Sequence, residues 1–226
     1  MNITGTLRGG LLLTLLATAS AGAFAAESAD LIVKGVIRPA ACSVTLSGDG
    51  SVDFGTISAK SLSGTAATKL QERQITMTMT CDAAAAVGYR IDDNRSASAA
   101  QILNGVDANI ANAMGYGLGS VEGKSIGAFA IRALPADATV DGTAATASTR
   151  STDGGSSWQG TGTVSNYVAP ATVYAWSATD GGAPVSASTV SQVLKLVGAL
   201  NNTADLPALN SNVSLDGSAT ISVVYL

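Results

Sequence analysis

Apolar and polar residues alternate with a period of two along much of the chain. Leu31, Val33, Gly35 and Ile37 share one face of a run whose other face carries Ile32, Lys34, Val36 and Arg38, which predicts a strand with one face more apolar. Pro39 ends it by removing a ladder donor. Ser43 to Leu46, the turn Ser47-Gly48-Asp49-Gly50 and Val52 to Gly55 predict a short hairpin. From Gln74 to Cys81, Ile75, Met77, Met79 and Cys81 fall on one face and Thr76, Thr78 and Thr80 on the other, turning Cys81 inward. Further strands are predicted over 87–91, 115–118, 126–134, 173–177, 193–197 and 217–225, the last with Ala219, Ile221, Val223 and Tyr225 on one face. A short helix is predicted only over 66–71. Residues 137–162, rich in Ala, Thr, Ser and Gly, read as a mobile loop or a poorly patterned hairpin, within a long loop near 137–165. Short strands with Gly and Asn turns predict an all-β fold, a sandwich of antiparallel sheets.

The first residues change that picture. Arg8, the apolar run Leu11 to Ala17 and the small-x-small triplet Ala23-Phe24-Ala25 predict a signal peptide over 1–25 and an exported mature chain with no membrane span. Removing 1–25 takes away one cation and no acid, leaving 11 Lys and Arg against 16 Asp and Glu, a net charge of −5. With no cluster of cations, nucleic acid is excluded as a partner class. The remaining length suits one large β domain. Two cysteines behind an export signal, Cys42 and Cys81, predict one disulfide. A tetrahedral metal site is excluded, because two thiols do not complete one and histidine is absent.

Candidate chemistry is sparse. The absence of histidine removes Ser-His-Asp and Cys-His machinery. Asp92 and Asp93 are neighbours at a strand end and point to opposite faces. Asp49 to Asp53 lacks the third oxygen ligand and the distal Glu of a calcium loop. No catalytic residue, metal or cofactor is expected. Trp158 and Trp176 are candidate ligand contacts, against a commoner role in the core or in anchoring a loop.

Three segments resemble chaperone-usher fimbrial subunits: VKGVIRPAACSV over 33–44, DFGTI over 53–57 and ITMTMTC over 75–81. The ending GSATISVVYL, with Tyr225 penultimate, is similar to the pilin terminal strand. Opening, cysteine pair and ending together resemble most the GltF-like, fimbrial-like periplasmic group. The resemblance implies a pilin-type, immunoglobulin-like sandwich over 39–226 that lacks its last strand, behind an N-terminal extension over 26–38. It implies a donor face of Leu31, Val33, Gly35 and Ile37, offered to a neighbouring subunit. Ala219, Ile221, Val223 and Tyr225 would line the acceptor groove, and the Leu226 carboxylate would be held by a periplasmic chaperone. An outer-membrane usher and neighbouring fimbrial subunits complete the implied partners, with passage through the periplasm to the cell surface. The alternative implied is a periplasmic or adhesin-type binding protein outside any fibre.

Overall fold

The computed structural model describes residues 30–36, 40–162 and 166–226, in two units, Met1–Arg38 and Pro39–Leu226. The expected signal peptide, and Ile37 of the expected donor face, lie outside the described residues. In the first unit residues 30–36 form no strand, and Leu31, Ile32, Val33 and Val36 are 72–90% exposed.

The second unit is all-β and antiparallel. It contains β1 (Cys42–Leu46), β2 (Thr68–Lys69), β3 (Arg73–Asp93), β4 (Tyr116–Gly117), β5 (Ser120–Val121), β6 (Lys124–Ser125), β7 (Gly127–Arg132) and β8 (Ala138–Val140). There follow β9 (Thr143–Ala144), β10 (Ala147–Ser151), β11 (Gln159–Gly160), β12 (Tyr167–Val168), β13 (Val173–Ser177), β14 (Ser186–Leu200) and β15 (Ala219–Tyr225). One curled sheet runs β11-β10-β13-β3-β14-β7-β12, and β1 and β15 both add to β3.

β3 organises the molecule because its two halves serve different neighbours. Residues 77–81 pair with β1 and 73–80 with β14, whereas 87–93 pair with β15 and 88–90 with β13. Between the halves the register slips, from Ala187↔Ala85 to Thr189↔Thr80. Asp141, at φ 48, satisfies that irregularity by accepting from the amides of Ser188 and Thr189 at 2.9 and 2.8 Å. The curl sets Met77, Met79 and Ile75 from one half against Val87, Tyr89 and Ile91 from the other in a single apolar core. Tyr89 stacks on Tyr174 and tilts against Trp176, with centroids 5.9 and 5.4 Å apart.

The disulfide forms as expected between Cys42 and Cys81, which face each other across β1 and β3. Two expectations are corrected. The helix over 66–71 is absent: Thr68–Lys69 is a strand on β14, where sheet bonding overrides local propensity. Val52 to Gly55 follows β1 but forms no strand, because Gly55 turns away at φ 72 and gives its amide to Asp53 Oδ1 at 2.7 Å. Over 137–162, expected as a loop or a hairpin, β8 and β9 form a hairpin and β10 pairs with β11.

Candidate functional site

Among the described residues β1 and β15 each pair with β3 alone, so each has an uncovered edge. On β15 the Leu226 amide donates to the Ala86 carbonyl and the Asn94 amide to the Ser218 carbonyl, both at 3.0 Å. Bonded and non-bonded pairs alternate along an antiparallel ladder. With Tyr225 opposite Val87 and Ala219 opposite Asp93, the N–H and C=O groups of Ala219, Ile221, Val223 and Tyr225 therefore point away from β3. Among the described residues no strand meets them. On β1 the Asp82 amide donates to the Ala41 carbonyl at 3.0 Å, so by the same parity Cys42, Val44 and Leu46 turn their backbone groups outward. One of these is met: the Cys42 amide donates to Tyr225 Oη at 2.7 Å, which ties the disulfide end of β1 to the end of β15.

The side chains beside these edges face an opening in the core. Ala219, Ile221 and Val223 are half-buried against the core, Ala219 and Ile221 at the opening itself, while Thr220 is exposed. A cavity of about 290 Å³ lies there, lined by Leu46, Phe54, Ile91, Phe129, Leu194 and Ile221 among others, and no lining residue is charged. A second cavity of about 660 Å³ shares Val52, Phe54 and Leu215 with the first and adds Asp53, Thr56 and Asn210 at its rim. The two form a groove that is apolar at one end and mixed at the other. Sequence reasoning missed Val52, Phe54, Val213 and Leu215 as groove residues. Their signal was the alternation Val213, Leu215, Gly217 that leads into the terminal strand without a break.

The other candidates separate. Leu226 is 40% exposed, and a Cβ added to Gly155 would stand 3.1 Å from Leu226 Cδ2 and 3.7 Å from Trp158 Cζ2. Half-buried Trp158 thus sits with the chain's last residue beside the loop that joins β10 to β11. Asp153 in that loop accepts from the Ser151 and Ser157 hydroxyls, and these bonds hold its carboxyl well below the usual range. Trp176 is a correction: it is 3% exposed, its Nε1–H donates to Gln192 Oε1 at 3.1 Å, and it packs on Tyr89. It is a core residue, and the two tryptophans share no surface. Asp92 pairs with Arg90 at 3.0 Å, while Asp93 accepts from the amides of Arg95 and Gly117, as a structural strand end does.

Among the described residues no three His, Cys, Asp or Glu side chains gather as a metal site, and no helix is long and apolar enough to cross a membrane. What the groove offers is two rows of backbone donors and acceptors beside an apolar trench. That arrangement suits an extended peptide with alternating apolar side chains.

A family model described as a protein of unknown function (DUF1120) matches residues 31–130, from the exposed segment through the disulfide and β3 into β7. No curated protein and no solved structure matches the chain.

Proposed function

We propose that this chain is a non-enzymatic structural subunit of a bacterial surface fimbria, assembled by donor-strand complementation. The observation that carries the reading is the uncovered edge of β15 lying directly beside an apolar, uncharged cavity. An open edge over exposed core is an aggregation hazard unless something covers it. In this reading a periplasmic chaperone covers it first, with the Leu226 carboxylate in its basic cleft, and a neighbouring subunit's strand replaces the chaperone at the outer-membrane usher. The run Leu31, Val33, Gly35, Ile37, exposed over 31–36, is the strand this chain gives in turn.

The test is to express residues 26–226 alone, with a cognate periplasmic chaperone, and with residues 26–38 repeated behind a flexible C-terminal linker. The chain alone should aggregate or form SDS-resistant ladders that collapse on boiling, while the other two should give soluble, defined species. A stable monomer of the unaltered chain, with the amides of Ile221 and Val223 protected from exchange, would overturn the reading. A second reading, an adhesin-type binding protein outside any fibre, is favoured by Trp158 standing half-buried on a hairpin loop beside the terminal strand. Loss of ligand binding in a Trp158→Ala variant that still folds would support it.

A further inference from the structure

Residues Pro207 to Leu215 form a strap tied down at its two ends and free between them. Where it begins, Leu206 is 3% exposed, its amide donates to the Asn202 carbonyl at 3.1 Å and its carbonyl accepts from Lys124 Nζ at 3.0 Å. Where it ends, the Asp216 amide donates to the Leu118 carbonyl at 2.9 Å, and the Asp216 carboxylate accepts from Nε and Nη2 of Arg95 at 2.9 and 3.2 Å. Between these anchors no main-chain or side-chain hydrogen bond joins 207–215 to any described residue. Residues 208–212 and 214 are exposed, while Val213 and Leu215 are half-buried. Residues 210–214 line two cavities at once, of about 660 and 480 Å³, so few neighbouring atoms resist their displacement. Two other loops of the same unit are tied from within. At 59–66 the Ser61 and Leu62 amides donate to the Ser58 and Ala59 carbonyls. At 152–158 the Asp153 and Gly155 amides donate to Ser151 Oγ and the Ser157 amide to Asp153 Oδ1.

An endoprotease takes its substrate as an extended strand, with main-chain hydrogen bonds on both sides of the bond it cuts. A tied loop must first break its own bonds to enter such a cleft, and the strap has none to break. Val213 stands inside the unbonded stretch, with Asn210 to Asn212 free before it and Ser214 and Leu215 free after it. Residues 207–215 contain no Lys, Arg or aromatic side chain. A specificity pocket for a basic or aromatic residue finds nothing here, whereas Ala208, Leu209, Val213 and Leu215 suit a small apolar one.

We infer that the strap is a cleavage site of the folded chain, cut at the Val213–Ser214 bond by an endoprotease with a small apolar pocket for the residue before the cut, and that the cut disarms the groove by freeing its terminal strand. Water is consumed across the peptide bond, leaving a carboxylate on Val213 and an ammonium on Ser214. Both charges arise beside the second cavity, which Val213 and Ser214 line. The strap leads into β15, and the disulfide joins Cys42 to Cys81, so no covalent bond then ties β15 to β3.

The test is limited digestion with pancreatic elastase, followed by intact-mass spectrometry. It uses residues 26–226, and beside them the form with 26–38 repeated behind a C-terminal linker, so that aggregation of the first leaves the second to be read. Cuts in the exposed run 31–36 and in the linker are expected and leave the domain whole. The first cut within 39–226 should fall at Val213–Ser214. Urea below the unfolding midpoint should leave its rate unchanged while speeding cuts inside the strands, which need unfolding. Val213→Asp sets a charge where an apolar pocket must receive it. Ser214→Pro alters an exposed residue whose amide makes no hydrogen bond, and puts a ring on the nitrogen that must leave. Each should slow the cut on the order of tenfold or more, with the circular dichroism unchanged. A first cut at 59–66 or 152–158, a strap cut that quickens with urea in step with cuts in β3, or unchanged cutting of both variants would overturn the inference. Any of these leaves the donor-strand reading standing.

Discussion

Tyr225 joins two edges that nothing else in the terminal strand joins. Its hydroxyl takes the Cys42 amide at 2.7 Å while the ring stays 54% exposed, so the bond is reachable by water and its net value is modest. Tyr225→Phe should cost about 0.5–1 kcal/mol, read as a lower urea midpoint with an unchanged slope, and the disulfide should still form. The tryptophans divide more sharply. Trp176→Ala removes a buried indole and leaves Gln192 Oε1 without its donor, and should cost about 3–5 kcal/mol. Trp158→Ala, at a half-buried loop position, should cost about 1 kcal/mol or less. Comparable losses at both positions would contradict the burial difference described above.

Elements were legible where the apolar face was apolar all along. Val173 to Ser177 and the inward face Ile75, Met77, Met79, Cys81 are strands as read. β14 was read as only 193–197 because its core face includes Gln192, 2% exposed, whose amide nitrogen donates to the carbonyls of Leu134 and Val193. A polar side chain satisfied in the core breaks the apolar alternation without breaking the strand. β10 escaped for a similar reason: Thr149 and Ser151 are buried, with Thr149 bonded to the Gln159 carbonyl and Ser151 to Asp153. The terminal half of the groove could be read from sequence, whereas its extension along 52–57 depends on a turn at Gly55 that carries no periodic signal. At this scale the disulfide is the sharpest test. Its 39-residue span corresponds to about 4 kcal/mol in the chain-entropy model, and among the described residues β1 has β3 as its one ladder partner. A Cys42→Ala, Cys81→Ala variant should lose about that much. Exchange protection should vanish first at the Ser43 and Thr45 amides, which face β3, while those of β14 stay protected.

At the largest scale, the unit Pro39–Leu226 is open along the edges of β1 and β15 and closed elsewhere around an aromatic cluster. The sealed part is aromatic: Tyr89 stacks on Tyr174 and tilts against Trp176 within the curl, and Tyr116 lies behind the cavity-lining Phe129 with centroids 5.2 Å apart. Burial pushes the Tyr89 and Tyr116 hydroxyls far above the ordinary tyrosine value, with neighbouring Tyr174 adding to each. The fold thus holds these two phenols neutral. Below about pH 10 both folded and unfolded chains keep them protonated, and this contribution to stability is complete. Above it the unfolded chain ionises and the folded chain does not, so stability falls as pH rises. In an alkaline titration the phenolate absorbance of Tyr89 and Tyr116 should appear in step with loss of the strand circular dichroism. Tyr89→Phe should remove that part of the pH dependence, making stability fall less steeply above pH 10. Full ionisation of both with the strand signal intact would contradict their enclosure. Because a strand bound in the groove stabilises the folded state by mass action, a peptide of residues 30–38 should move the alkaline midpoint upward with increasing concentration.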